Sequence, residues 1–385
     1  MVRAVREMKL TAGQVKAIET ADIFCDANID EHQIKHWVET RGMPSSIDQQ
    51  IRQGSTGSYV LPICLGGKDL PILERITFLE QMTRRAGATI PLLSDMTALL
   101  MLSTMRQLSQ QEIIEELVSR GGRIAFSEAF SEVHAGSDAS AVRTTVSVNN
   151  KGISLDGKKT FVSGGQFMPE LLVLARDPIF GGADGGLSLW LVPVDIEGVS
   201  TFPLNTIGQE MLSPALIEFR DVHLDPAWQI QTEGKLDSML KRQYELGRIL
   251  VCASSLGLAE AAYDDAISYA MDHTIKGRTM SSLPSIQEKI VSMAGLIRIM
   301  RMYVYDAAAS AAGEQDSFHL DCALMKRFVP GYATDVSSMA LQVFGGRGYT
   351  DETRVGRIWR DCRGNQIAQG TDEIMTHIAA KFLMS

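Results

Sequence analysis

Cysteine is scarce in this chain, and the few cysteines stand far apart. Five thiols occur among 385 residues, and none has the close paired spacing that a zinc site or a redox motif requires. We therefore expect no metal site, reduced thiols and a cytoplasmic location. The cysteines are at positions 25, 64, 252, 322 and 362.

Long apolar runs are missing as well. The most apolar window, 88–103, is interrupted by Asp95 and is shorter than the roughly 20 residues that a transmembrane helix needs. The basic segment 1–9 is followed by Gln14 and Lys16 where a signal peptide would have an apolar region. We expect neither a membrane segment nor an export signal.

Basic charge is also in short supply. The 37 lysines and arginines are outnumbered by 46 aspartates and glutamates, which gives a formal net charge of −9. Nucleic-acid binding needs clustered cations, so a general nucleic-acid binder is excluded. The hydrophobic fraction of 45% and the charged fraction of 22% are ordinary for a soluble globular protein, and the length allows two or three domains.

Residue patterns divide the chain into three parts, which predicts an α+β fold. We expect an N-terminal all-helical domain (1–121), a middle antiparallel β domain (122–235) and a C-terminal four-helix-bundle domain (236–385). The predicted helices are 14–27, 73–86, 90–102, 109–119, 236–273, 284–312, 318–344, 353–365 and 371–383. The predicted strands are 123–129, 142–148, 160–162, 171–176, 187–194 and 215–222.

A glycine pair marks the most informative stretch of the sequence. Gly345 and Gly346 follow Gln342, and the lack of a Cβ would let the backbone approach a phosphate closely, although a tight turn between helices explains two glycines about as often. Together with the segments 359–361 and 369–371, this stretch resembles the C-terminal signature of the acyl-CoA dehydrogenase family. The resemblance covers nearly the whole chain and is weak over the first fifty residues.

The resemblance implies an FAD-dependent oxidoreductase that acts on the CH–CH group of an acyl-CoA thioester. It further implies an acyl-CoA or enoyl-CoA substrate, an electron-transfer flavoprotein as partner, a homodimer or homotetramer, and a role in fatty acid metabolism. The implied cofactor-binding residues are Phe130, Ser131, Ser137, Phe161, Ser163, His273, Gln287, Gln342, Gly345, Gly346, Thr371 and Glu373. The implied substrate-binding residues are Ser137, Tyr244, Arg248 and Gly370.

Several of these positions depart from the family pattern. The segment 131–138 matches the family's flavin motif at its Gly-Ser-Asp end but carries Val133 and His134 where the family has proline and glycine. Phe161 replaces a tryptophan and Ser163 a threonine; considered alone, this block also suits an aromatic of a β core followed by a turn. His273 stands where the family has an arginine for the flavin pyrophosphate, and it lacks a bidentate fork.

The main departure concerns the catalytic base. The family removes an α proton with a glutamate at the position of Gln369 or, in some members, at the position of Gly247, and neither residue can accept a proton at neutral pH. Three explanations stay open. The base comes from elsewhere, with Tyr244, Glu245, Glu132 or His134 as unranked candidates; the enzyme is an enoyl-CoA reductase of the crotonobetainyl-CoA reductase type; or Gln369 was introduced to trap a ligand. A non-catalytic binding or assembly subunit is the alternative from a different class.

Overall fold

The computed structural model has helices, then strands, then helices, as predicted. The predicted helix 109–119, part of the helix 90–102 and the start of the strand 123–129 lie outside the residues that the structure describes. The described residues are 9–61, 67–68, 70–94, 96–98, 126–138, 141–150, 152–177, 186–230, 236–312 and 318–384.

Local sequence signals set the boundaries of the first helices. The helix α1 begins after Thr11, whose hydroxyl accepts a hydrogen bond from the N–H of Gln14 while the Gln14 side chain binds the N–H of Thr11. The helix α5 ends at Gly87, where φ is 57°, a conformation that glycine adopts without strain. The bounds are α1 Ala12–Asn28, α2 Glu31–Glu39, α3 Ser45–Arg52, α4 Gly54–Val60 and α5 Ile72–Ala86.

The middle of the chain forms one eight-stranded sheet. Its order is β6-β7-β3-β2-β4-β5-β8, and β1 pairs with β4. Most pairs are antiparallel, as predicted, but β1 and β2 each run parallel to β4. The strands are β1 Ser127–Ala129, β2 Thr145–Asn149, β3 Gly152–Val162, β4 Glu170–Arg176, β5 Leu187–Pro193, β6 Val199–Pro203, β7 Ala215–Leu224 and β8 Gln229–Ile230.

The last part of the chain forms three long helices and two shorter ones. They are α6 Leu236–Asp272, α7 Pro284–Ala312, α8 Phe318–Phe344, α9 Val355–Ile367 and α10 Asp372–Leu383, with a small hairpin of β9 Thr274–Ile275 and β10 Arg278–Thr279 after α6. Within α6, the segment Ser238–Asp272 is long and apolar enough to cross a membrane, but 89% of its most apolar window is buried, which is typical of a core helix.

Buried charges connect the three parts of the chain. Arg301 of α7 binds Glu80 of α5 at 2.9 Å and also pairs with Glu260 of α6. The carboxylate of Asp361 in α9 accepts hydrogen bonds from the N–H groups of Thr89 and Gln209, each at 2.6 Å. The apolar residues of the first helices and of the C-terminal helices also form one common hydrophobic core, and the inner face of the sheet forms a second.

Candidate active site

Gln369 and Gly247 lie against each other, although they are far apart in the sequence. Gln369 and Gly370 form the short connection between α9 and α10, with φ values of 56° and 105°. A Cβ built on Gly247, which is in α6, would be 3.0 Å from Oε1 of Gln369. The two positions that the family resemblance assigned to a base therefore face one another.

Two cationic side chains, the partly buried Arg248 and the buried Lys326, hold this connection in place. Nε of Arg248 donates to the carbonyl of Gln369 at 3.2 Å, and Nζ of Lys326 donates to the carbonyl of Gly370 at 3.0 Å. Burial lowers the pKa of both side chains. Gly370 has little room for any other residue, because a Cβ there would come within 2.5 Å of Met375. The predicted substrate residues Arg248 and Gly370 are thus part of the same small region.

Aromatic side chains border the region from the other side. The ring of Tyr244, one turn before Arg248 on α6, meets the ring of Phe130 edge-on at a centroid distance of 6.5 Å. Burial, with a smaller contribution from the charge of Glu128, raises the pKa of the Tyr244 phenol to about 12. Tyr244 is therefore a poor base at neutral pH.

The other candidates for the base are tied to different partners. Burial alone would raise the pKa of Glu132, but hydrogen bonds from Lys159, Thr144 and the backbone lower it to about 2. His134 stands 3.2 Å from Glu132 on an exposed turn. The carboxylate of Glu245 pairs with the imidazole of His319, and its charge also acts on Arg248.

One residue near this region was missed by the sequence analysis. Glu128 of β1 accepts a hydrogen bond from Nε2 of Gln243 at 2.8 Å, and burial raises the pKa of its carboxyl group to about 7 in spite of that bond. A signal was present, because Glu128 is the only charged residue in the run 124–130. A buried strand rarely carries a carboxylate without a cationic partner.

The predicted flavin residues of the middle domain lie around the end of β3. Phe161 has φ of 55°, which is an outlier for an aromatic residue, and its side chain is 67% exposed. Strain of this kind is often found at functional sites. Ser163 follows Phe161 two residues later, and the carbonyl of Ser131 accepts a hydrogen bond from the N–H of Thr160 at 2.9 Å. The hydroxyls of Ser131, Ser137 and Ser163 take part in no hydrogen bond among the described residues. Open hydroxyls and an exposed ring fit a polar aromatic cofactor.

The remaining predicted cofactor residues are on the surface and do not reach Gln369. Gln287, Gln342, Gly345 and Gly346 are exposed, and within the described chain nothing lies within 4 Å of a Cβ built on either glycine. His273 is exposed too, and it stacks on Tyr269, which stacks on Phe344 next to Gly345.

The last two predicted cofactor residues begin α10. Thr371 caps this helix by accepting from the N–H of Ile374 at 3.4 Å, and Glu373 is exposed in its first turn. Both residues lie directly after the Gln369–Gly370 connection, so that this part of the predicted cofactor set adjoins the predicted substrate residues.

Comparisons with known proteins show similarity to one family. Two family models match, "Acyl-CoA dehydrogenase, middle domain" over residues 127–222 and "Acyl-CoA dehydrogenase, C-terminal domain" over residues 238–384. The chain is 36% identical over 263 residues to the probable acyl-CoA dehydrogenase YdiO of Escherichia coli, which is 68% of each chain.

Solved structures resemble the whole fold. An acyl-CoA dehydrogenase from Slackia heliotrinireducens is 31% identical, with a TM-score of 0.86 over 97% of both chains. Butyryl-CoA dehydrogenase from Megasphaera elsdenii has a TM-score of 0.84, covers 98% of this chain and 100% of its own, and is 23% identical, which is evidence for the fold alone.

Proposed function

This chain belongs to the acyl-CoA dehydrogenase family, and on that premise we propose that it is an oxidoreductase acting on the CH–CH bond next to an acyl-CoA thioester. FAD is the cofactor of this family, and when bound it supplies the hydride acceptor. The observation that carries the proposal is the contact between Gln369 and Gly247, with Arg248 bound to the carbonyl of Gln369. An acyl thioester placed there would have its α carbon beside the two positions at which the family keeps its base.

The cofactor would be held by the end of β3 and by the start of the middle domain. The hydroxyls of Ser131 and Ser163 would donate to its polar edge, and Phe161 would cover its face. Ser137 would lie between cofactor and substrate. An aromatic cover excludes water, and a few oriented donors favour the charge that develops on reduction.

The thioester would be oriented by the connection between α9 and α10. The N–H of Gln369 donates to no acceptor among the described residues, so it is free to bind the thioester carbonyl. Arg248 and Lys326 bind the carbonyls of Gln369 and Gly370, and these bonds fix the turn and therefore the direction of the N–H. Replacing the family glutamate by Gln369 does not alter this backbone donor. Polarisation of the carbonyl and acidification of the α proton would therefore survive.

A second copy of the chain and an electron acceptor complete the proposal. Gln342, Gly345 and Gly346 are exposed and open, which suits binding to a cofactor held across a homodimer or homotetramer interface. We propose an electron-transfer flavoprotein as the acceptor and the cytoplasm as the location.

A non-catalytic binding subunit is the second candidate, favoured by one observation. The contact that should contain a carboxylate contains an amide and a glycine. Such a subunit would bind FAD and acyl-CoA without turnover. A reductase working in the enoyl-CoA direction has the same need for a proton-transfer group, so it would share the position of that group.

The test is the visible spectrum of the purified protein, followed by titration with saturated acyl-CoA thioesters. A flavin spectrum that bleaches on addition of substrate is the expected result. A flavin spectrum that stays unchanged, while calorimetry records acyl-CoA binding, would favour the binding subunit. A folded protein that neither contains nor takes up FAD contradicts both.

A further inference from the structure

Glu128 lies on the face of its strand that is turned toward the helices. Along β1, Ala129 belongs to the inner core of the sheet, whereas Phe126 and Phe130 belong to the core shared with the helices. Successive side chains of a strand alternate between faces, so Glu128 shares the face of the two phenylalanines. Its partner across the sheet, Leu172, also belongs to the helical core. A carboxyl group is therefore directed toward α6.

Gln243 is the residue of α6 that binds Glu128. Its Nε2 donates both to Glu128 and, at 2.7 Å, to the carbonyl of Thr97, while its Oε1 is buried and has no partner among the described residues. An unmet buried acceptor costs about 1–3 kcal/mol, so one that persists often marks a ligand site. Gln243 precedes Gly247 by about one helical turn, so the two residues lie on the same face of α6. Glu128 and Gln369 therefore both contact this face.

The charged surroundings of Glu128 favour proton transfer. On α6 the charges of both Glu128 and Arg248 act on Tyr244, and on β4 the residue opposite Glu128 is Leu172. No described cation pairs with Glu128. Burial raises the pKa of its carboxyl group to about 7, although the hydrogen bond from Gln243 acts in the opposite direction. A general base works best when its pKa is near the working pH. By contrast, Glu132, with a pKa of about 2, is neutralised by Lys159.

We propose that Glu128 is the acid–base residue that exchanges a proton with the α carbon of the acyl thioester, an inference that rests on the function proposed above. In the step, the Cα–H bond breaks, an O–H bond forms on the Glu128 carboxylate, and the electron pair stays on the thioester as an enolate. The enolate is stabilised by the donor to the thioester carbonyl. Gln243 is a positioning residue that keeps the carboxylate directed toward α6.

The experiment compares the wild type with Glu128→Gln, which keeps the size of the side chain. Both proteins are loaded with FAD and mixed with an acyl-CoA in D2O, and deuterium uptake at the α carbon is followed by mass spectrometry. We expect uptake to fall at least about 100-fold in the variant, the lower bound of a general-base contribution, while the Kd for acyl-CoA changes less than about threefold. In the wild type the uptake rate should rise with pH around a midpoint near 7.

A second readout does not depend on loaded enzyme. Infrared difference spectra of the cofactor-free protein, labelled with 13C-glutamate, should contain a carboxyl group that titrates near pH 7 in the wild type and is missing in Glu128→Gln. If Glu128→Gln fails to fold, Glu128→Asp replaces it and should retain a slowed, pH-dependent exchange. Glu39→Gln on the exposed end of α2 is the control and should change neither readout.

The outcomes separate this inference from the proposed function. A wild type that binds neither FAD nor acyl-CoA contradicts the proposed function itself. If the wild type binds both, the inference alone is overturned by exchange that persists in Glu128→Gln, by the absence of exchange in the wild type, or by a near-neutral carboxyl signal that remains in the variant.

Discussion

The side chain of Gln369 rests against the bare backbone of Gly247, with 3.0 Å between Oε1 and the place where a Cβ would stand. A glutamate at either position would bring its carboxylate into the same small space. A side chain at either of the family's two base positions would therefore occupy the same place. This chain has a carboxylate at neither position, and on α6 one turn before Gly247 the side chain of Gln243 binds the carboxyl group of Glu128.

Gly247 and Gly257 offer a matched pair of alanine substitutions on α6. A Cβ at position 247 meets only the flexible end of Gln369, whereas a Cβ at position 257 would be 2.3 Å from the backbone carbonyl of Glu80. Gly247→Ala should therefore raise the free energy of unfolding by up to about 1 kcal/mol through helix propensity, and Gly257→Ala should lower it by about 1–3 kcal/mol. Urea denaturation measures both. If Gly247→Ala lowers the free energy of unfolding instead, the side chain of Gln369 cannot move aside to make room for the new methyl group.

Lys158 and Lys159 are neighbours on β3 with opposite surroundings. Lys159 is 0% exposed, and its Nζ binds Glu132 at 2.8 Å and the carbonyl of Phe130 at 3.0 Å. Lys158 pairs with Glu218, and its own side chain is 60% exposed. Lys159→Met leaves the buried carboxylate of Glu132 without its cationic partner, although the N–H groups of Arg143 and Thr144 still donate to it, and should cost about 3 kcal/mol of stability, against less than about 1 kcal/mol for Lys158→Met.

The cost of Lys159→Met should depend on pH in a defined direction. The pKa of Glu132 is about 2 in the folded wild type and ordinarily 4.5, so the stabilisation from its charge is complete above pH 4.5 and is lost as the pH falls toward 2. In the variant the same carboxyl group is free to take up a proton. The difference in unfolding free energy should therefore shrink between pH 5 and pH 3. An equal difference at both values would argue against this ion pair as the source.

Glu128 should give the stability of the protein an opposite dependence on pH. Its pKa is raised from 4.5 to about 7, so the folded state holds a proton that the unfolded state has released across this range. Stability should decline as the pH rises from 4.5 to 7, by up to about 3 kcal/mol from this group. Glu128→Gln should lack that part of the decline, whereas Glu39→Gln should retain it. Parallel pH profiles of wild type and Glu128→Gln, obtained by denaturation, would show that the carboxyl group titrates normally.

The sequence predicted the elements whose apolar pattern is uninterrupted and missed those whose outer face is polar. Both α7 and α8 have the predicted bounds. In contrast, β3 was predicted only as 160–162, because Asp156, Lys158 and Lys159 hide an alternation that its pairing with β7 supports. The strand β8 and the hairpin around Gly277 are too short to produce a pattern, and β6 is an edge strand in which no residue is fully buried.

The candidate site was predictable only where a motif named its residues. Gln369, Gly247, Arg248 and Tyr244 were found through the family resemblance, and the structure brings them together. Glu128 belongs to no such motif, and its pKa depends on a partner in α6 that only the fold supplies. The loss of Glu132 as a candidate base likewise depended on Lys159, whose burial no local pattern indicates.

Restoring a carboxylate by Gln369→Glu tests the geometry of the site most directly. The change keeps the shape of the side chain and the positive φ. It also places a negative charge near the cations Arg248 and Lys326, where opposite charge favours the ionised form. Acyl-CoA-dependent bleaching of the flavin should accelerate at least about tenfold, since a positioned base contributes 10²–10⁴-fold and Glu128 already supplies part of this.

Gln366→Glu is the matched control for that variant. Gln366 lies at the end of α9, where Lys326 approaches its carbonyl, but its amide binds Asp372 instead of facing Gly247. It should leave the bleaching rate unchanged. Stopped-flow absorbance measures both variants at one substrate concentration, after their FAD content and acyl-CoA affinity have been matched. Equal rates for wild type and Gln369→Glu would mean that the α carbon of the substrate does not lie at the contact between Gln369 and Gly247, and the site would then have to be placed elsewhere in the fold.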